Sequence, residues 1–197
     1  MPATKPASAN PAALEFLLTR RSRPVRTLVL PVPDRAQLHP ILTAAARAPD
    51  HAKLEPWRFI VLERPALARL TALARSRAQE LGLNPEQSAK GSSQFDESNL
   101  AVVVVSSPKP SEKAPAVEQL LSAGAVCLGL LNAALASGWG ACWLTGWPAH
   151  DGAFVSTGLG LLAHERVAGI IHIGSETSVP PERPRPDLAV LTRWVSA

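Results

Sequence analysis

Apolar and polar positions along this chain switch between helical and strand-like periods, and each switch marks an element. Residues 12–20 (AALEFLLTR) repeat apolar side chains at helical spacing and end on Arg20, which suits the negative end of a helix dipole. Asp34 is placed to cap a second helix in which Leu38, Ile41, Leu42 and Ala45 share one face. Pro49 is expected to stop that helix, and Pro40 is an unfavourable interior residue. Trp57–Leu62 (WRFIVL) has β character, and residues 66–83 form an amphipathic helix of charges and leucines. The polar stretch 84–99, with Gly91-Ser92-Ser93, reads as a mobile loop. LAVVVVSS at 100–107 is a continuous β-branched run, the pattern of a strand buried on both faces. A long helix over 116–138, a strand over 141–146, a short helix over 150–161 and a strand over 165–175 follow. A Pro-rich arm then ends in a short apolar patch. About four strands and five helices result, with no dinucleotide fingerprint, because Gly158-Leu-Gly160 lacks the third glycine and the preceding strand.

No charged side chain occurs from Gln119 through His150. Residues 120–137 reach the minimum length for crossing a bilayer, but they are rich in Ala, Gly, Ser and Asn, and aromatic and basic anchors are missing on one side. A central helix buried all round in a soluble protein fits better. Its small residues Ser122, Ala123, Gly124, Ala125 and Gly129 allow close approach of a backbone or a flat ring.

The chain's 197 residues suit one domain, expected over 12–197, with the Pro/Ala/Ser-rich residues 1–11 disordered. Charged residues make up 18%, below the roughly 25% usual in soluble domains, and a large buried interface would account for the deficit. The net charge is +4, and its excess is confined to residues 1–58, where nine Lys/Arg face four Asp/Glu. Nucleic-acid binding wants a basic face with stacking aromatics; here there is no Tyr, and the five Trp lie mostly outside the basic third. Cys127 and Cys142 are too few for a disulfide framework or a metal cage and read as buried small hydrophobes in a reducing compartment. The first twenty residues lack a signal peptide's order of parts, so a cytoplasmic location is expected.

Three clusters carry candidate chemistry. Arg20-Arg21-Ser22-Arg23 offers guanidinium forks and a hydroxyl to a phosphate, and reads equally well as a solvated helix end. Arg183 and Arg185, one proline apart in an extended arm, would bring a second arginine pair to the same phosphate. The loop 48–57 (APDHAKLEPW) packs polar groups between prolines, though Asp50 would serve as well by bonding local amides. Trp143-Leu144-Thr145-Gly146-Trp147 is a strand leaving the core into a glycine turn, where a backbone group can approach a ligand closely, and on local grounds it reads at least as well as a Trp-anchored core strand. No Ser/His/Asp triad, HxxxH or CxxC is found; the five histidines are scattered, and His172 among isoleucines reads as a core residue. No metal site and no catalytic side chain is expected. Phosphate grips and ring walls without acid–base machinery fit a cofactor that carries the chemistry itself.

RRS near the start, RAPDHAKLEPWRF, LLSAGAV on a small-residue helix, WLTGW, and IGS followed by a PxRPRPDL arm occur in an order that resembles the FMN-dependent nitroreductase family, in its minimal bacterial, YdjA-like branch. The resemblance spans roughly residues 12–197. It implies an α+β fold with a mixed central β-sheet flanked by helices, a long buried central helix and an extended C-terminal arm. It further implies a homodimer with FMN at the subunit interface and NAD(P)H as electron donor. The implied activity is ping-pong reduction of planar nitroaromatic or quinone-like acceptors through flavin N5. Alternatives on the same fold are a specialised flavin dehydrogenase and a non-catalytic or degenerate FMN-binding protein. Carried onto this chain, the cofactor-binding positions are Arg20, Arg21, Ser22, His51, Glu55, Trp143, Leu144, Thr145, Gly146, Arg183 and Arg185. His51 and Glu55 are implied to reach FMN from the partner subunit. Two positions depart from the pattern: Glu55 stands where some relatives have Gln, and Leu144 where some have a basic residue. Both reduce the positive charge facing an anionic cofactor.

Overall fold

The computed structural model describes residues 6–196. Part of the segment expected to be disordered, residues 1–5, lies outside the described residues; residues 6–10 are exposed and irregular. Helix α1 spans Pro11–Thr19, with the Asn10 side chain accepting from the Ala13 amide. It buries no residue, so its leucines find no partner within the chain.

Helix α2 (Arg35–Ala45) begins in a capping box between Asp34 and Gln37 and runs through Pro40. Strand β2 (Trp57–Glu63) and helix α3 (Arg64–Glu80) follow the sequence pattern closely. The loop expected over 84–99 is instead helix α4, Pro85–Asp96. Asn84 and Gln87 close a second capping box, Pro85 takes the first turn, and Gly91, Ser92, Gln94 and Phe95 are buried. Small residues that look loose in sequence are close-packing positions here.

Strand β3 (Leu100–Ser106) is buried along its whole length and explains its own composition. Leu100, Val102 and Val104 join a cluster with α2 and helix α5 (Ala116–Ala136), while Ala101, Val103 and Val105 join one with α3, Phe95 and helix α6 (Gly152–Leu159). Strand alternation thus feeds two cores, one on each face of the sheet. Strand β5 (Arg166–Glu176) pairs with β3 on one side; on the other it pairs with β4 (Gly140–Leu144) and then with the short β1 (Leu28–Val29), which the sequence pattern did not reveal. β2 closes the other edge against β3. The α+β fold expected from sequence is present, with the sheet flanked by helices. All four pairings among the described residues are antiparallel, so the sheet they form contains no parallel ladder.

Helix α5 is not buried all round. One side packs Ala123, Val126, Cys127, Leu130 and Ala134 into the core, while Val117, Leu120, Leu121 and Leu128 are exposed on another. Among the described residues, no element covers that flank. α5 is the one helix among the described residues long and apolar enough to cross a membrane. A four-residue helix α7 (Leu188–Leu191) interrupts the C-terminal arm, which leaves Val190, Trp194 and Val195 exposed.

Candidate functional site

The last residues of β4 and the chain after α1 are held together by main-chain geometry. The Arg23 amide donates to the Ala141 carbonyl at 2.8 Å, laying residues 20–26 along the free edge of β4. β4 then leaves the core, with Trp143 and Leu144 partly exposed, and turns at Gly146, where φ is 71° and ψ is 174°. That region is essentially restricted to glycine.

Between these segments lies a cavity of about 1040 Å³. Its walls include Arg20, Arg21 and Ser22, the run Trp143–Gly146, and Lys90 and Gln94 of α4. Seven of the eleven cofactor positions inferred from sequence therefore meet in one place, and Arg183 and Arg185 are not among the lining residues. The α4 contribution was missed because its segment read as a loop; the signal available was the Asn84-Pro85-x-Gln87 cap.

Electrostatics divide the arginines by partner. Arg23 pairs with Glu176 and donates to the Arg21 carbonyl. Arg21 and Arg185 both reach Glu182 Oε1, at 3.0 and 2.8 Å, so a carboxylate of the C-terminal arm joins the two basic clusters. The Glu182 carboxyl is held below its ordinary range by the Arg183 amide first and the Arg21 guanidinium second. Arg183 contributes that backbone amide. Arg20 is different: its Nη1 is buried and has no hydrogen-bond partner among the described residues. A buried cationic donor without an acceptor is costly, and since Arg20 also borders the cavity, its guanidinium is placed to meet a phosphate there.

His51 and Glu55 do not line this cavity. They sit in a turn where Ala52, Lys53 and Glu55 all take positive φ. Asp50 holds that turn, accepting from the Leu54 amide at 3.2 Å and the Glu55 amide at 2.7 Å, the local bonding role considered for it from sequence. The loop is tied to α5 by His51 Nδ1 to Glu118 at 2.7 Å and by the Ser122 hydroxyl donating to the Pro49 carbonyl. Of the tryptophans, Trp143 lines the cavity, while Trp147 packs on Gly91 of α4 and donates to the Gln87 carbonyl at 3.0 Å.

His172 is fully buried and hydrogen-bonded, as its apolar neighbours suggested. Cys127 and Cys142 are free and buried, which pushes both thiols up to about 12 and keeps them protonated.

Comparison with known proteins agrees with this geometry. A model described as the nitroreductase family matches residues 17–175. A Haemophilus influenzae protein provisionally named an NAD(P)H nitroreductase is 36% identical over 165 residues, covering 83% of this chain and 88% of that one. The Escherichia coli protein YdjA, provisionally named in the same way, is 31% identical over 163 residues, covering 83% and 87%. A crystal structure of a provisionally named nitroreductase from Desulfovibrio desulfuricans in complex with FMN superposes with a TM-score of 0.72 at 21% identity, covering 96% of this chain and all of that one.

Proposed function

The chain belongs to the nitroreductase family, and on that premise we propose that it is an FMN-dependent NAD(P)H oxidoreductase of the YdjA-like branch, with one functional domain over residues 12–197. The observation that carries the reading is Arg20, which lines a large cavity together with the glycine turn of β4 and whose buried Nη1 has no hydrogen-bond partner among the described residues. The relatives' names and the FMN complex of the Desulfovibrio protein support the same cofactor and donor.

Bound FMN would supply the redox chemistry, taking a hydride from NAD(P)H and passing it to a planar acceptor such as a nitroaromatic or a quinone in a second half-reaction. The protein's own groups bind and orient. Arg20, Arg21 and Ser22 hold the phosphate, with Arg183 and Arg185 drawn in through Glu182. Trp143 and Leu144 wall the ring. The amides of Thr145 and Gly146, which have no partner among the described residues, are donors available to the polar ring edge. His51 and Glu55 lie outside their own chain's cavity, so their role requires a second copy. The uncovered leucines of α1 and α5 supply a surface for that homodimer. Free buried thiols suit a reducing compartment, and we place the protein in the cytoplasm.

The visible spectrum of the purified protein tests the reading, followed by anaerobic titration with NADPH and NADH. The expected result is a flavin spectrum that bleaches with either donor. A protein that takes up no added FMN refutes it, and tight flavin that neither donor bleaches refutes the oxidoreductase part alone.

A further inference from the structure

Gln94 links the sealed interior to the cavity. It lies near the end of α4 and is only 5% exposed, yet it borders the cavity beside Thr145 and Gly146. Its Nε2 donates to the Thr145 carbonyl at 3.0 Å, and its Oε1 lies 3.4 Å from Nε2 of His172, at the long end of hydrogen bonding. His172 Nδ1 lies 3.0 Å from the Ser98 hydroxyl. His172 and Ser98 are both buried.

The cavity end fixes the direction of the whole series. A carbonyl can only accept, so Gln94 turns its nitrogen to Thr145 and its oxygen to His172. An Nε2 proton on His172 completes the series, with Nδ1 left as the acceptor for the Ser98 hydroxyl, and this tautomer is part of what is proposed below. The Leu100 carbonyl, 3.1 Å from the same hydroxyl, is the competing acceptor. Burial pushes the imidazole down to about 3, so it stays neutral and the arrangement does not depend on pH near neutrality.

A trans peptide points its C=O and N–H in opposite directions. The grip of Gln94 on the Thr145 carbonyl therefore also sets the direction of the Gly146 N–H. A Cβ on Gly146 would lie 3.0 Å from Gln94 Nε2, so the missing side chain is what lets the amide approach.

We propose that Gln94 is a positioning residue of the redox site: anchored by His172 and Ser98, it locks the Thr145–Gly146 peptide so that the Gly146 N–H is presented to the polar edge of the bound flavin. The inference rests on the flavin reading above. It assigns a task to a residue on α4 and to a core histidine that neither touches the phosphate nor moves a proton.

Gln94→Met keeps length and volume while removing both hydrogen bonds. The expected results are about three- to tenfold weaker FMN binding, the equivalent of one lost hydrogen bond, and a shifted midpoint potential of the bound flavin. His172→Phe should move the potential in the same direction and serves if Q94M folds poorly. Glu86→Gln, an exposed change at the far end of α4, should move neither quantity. A readout that needs no cofactor comes from long-range ¹H–¹⁵N spectra of the flavin-free chain. Wild type should show neutral His172 protonated on Nε2 from pH 5 to 8, and Q94M should lose that tautomer. Protonation on Nδ1 in wild type, or flavin-loaded Q94M and H172F with unchanged affinity and potential, overturns the positioning role and leaves the flavin reading standing. A wild-type chain that takes up no FMN overturns the flavin reading and the positioning role with it, and so is told apart from failure of the relay alone.

Discussion

Arg20 shows how one atom can carry opposite signs in two states. In the unliganded chain its buried Nη1 lacks an acceptor, a deficit worth on the order of 1–3 kcal/mol. Replacing it with Met keeps the aliphatic stem and removes the deficit. Arg20→Met should therefore leave the thermal midpoint of the flavin-free protein unchanged or raise it. The stabilisation that added FMN confers should shrink sharply, because a bound ligand stabilises in proportion to its affinity. Thermal unfolding with and without FMN reads both signs at once. A large loss of midpoint without FMN would make Arg20 a structural residue, and an unchanged gain on FMN addition would place the phosphate elsewhere. Arg21 offers no such test, since its guanidinium already meets Glu182.

At the scale of elements, α4 decides how the site is walled, and it was the element hardest to read. Gly91-Ser92-Ser93 makes the segment read as a loop, because small polar residues signal loops when nothing is known of their neighbours, and the Asn84–Gln87 capping box enters only with the structure. Trp147, far along the chain, supplies the missing reason: its indole lies where a side chain on Gly91 would be. By contrast β3 and α5 were legible as elements, since a β-branched run and an uncharged span carry their meaning locally, whereas the RRSR string read equally well as a phosphate grip or a solvated helix end. The meeting of the arginine cluster with β4 and one flank of α5 in a single cavity was not legible, because it depends on Arg23 pairing with the β4 edge. Gly91 separates propensity from packing. Alanine is better than glycine in a helix by about 1 kcal/mol, yet its Cβ would fall 1.9 Å from Trp147 Nε1. Packing should win, so Gly91→Ala should destabilise by on the order of 1–3 kcal/mol in urea unfolding and alter Trp fluorescence. A stabilised variant would show that α4 and Trp147 are not in contact.

For the whole molecule, two features set stability and assembly. Arg58 holds Glu165 with two 2.7 Å hydrogen bonds, joining β2 to the turn before β5. That pairing outweighs burial and brings the carboxyl down to about 2. A depressed carboxylate stabilises the fold above its ordinary pKa near 4.5, and this is lost as pH falls toward 2. Wild type should thus lose stability steeply in that window. Because Arg58 is 41% exposed and keeps part of its solvation, Glu165→Gln should start about 1–2 kcal/mol less stable at neutral pH, with a flatter acid limb, as urea midpoints against pH will show. Assembly follows from what stays uncovered. A nine-residue helix is marginal alone, and α1 leaves Leu14, Leu17 and Leu18 more than half exposed while burying nothing. Leu120 and Leu121 of α5 are open as well. Such surfaces on separate elements are what the proposed homodimer would cover. Leu121→Glu would put a charge into that contact, and sedimentation should show wild-type dimers and variant monomers. Because His51 and Glu55 lie outside their own chain's cavity, the monomers should also retain less FMN. Monomers that bind FMN as tightly as wild type would mean that each chain holds its cofactor unaided.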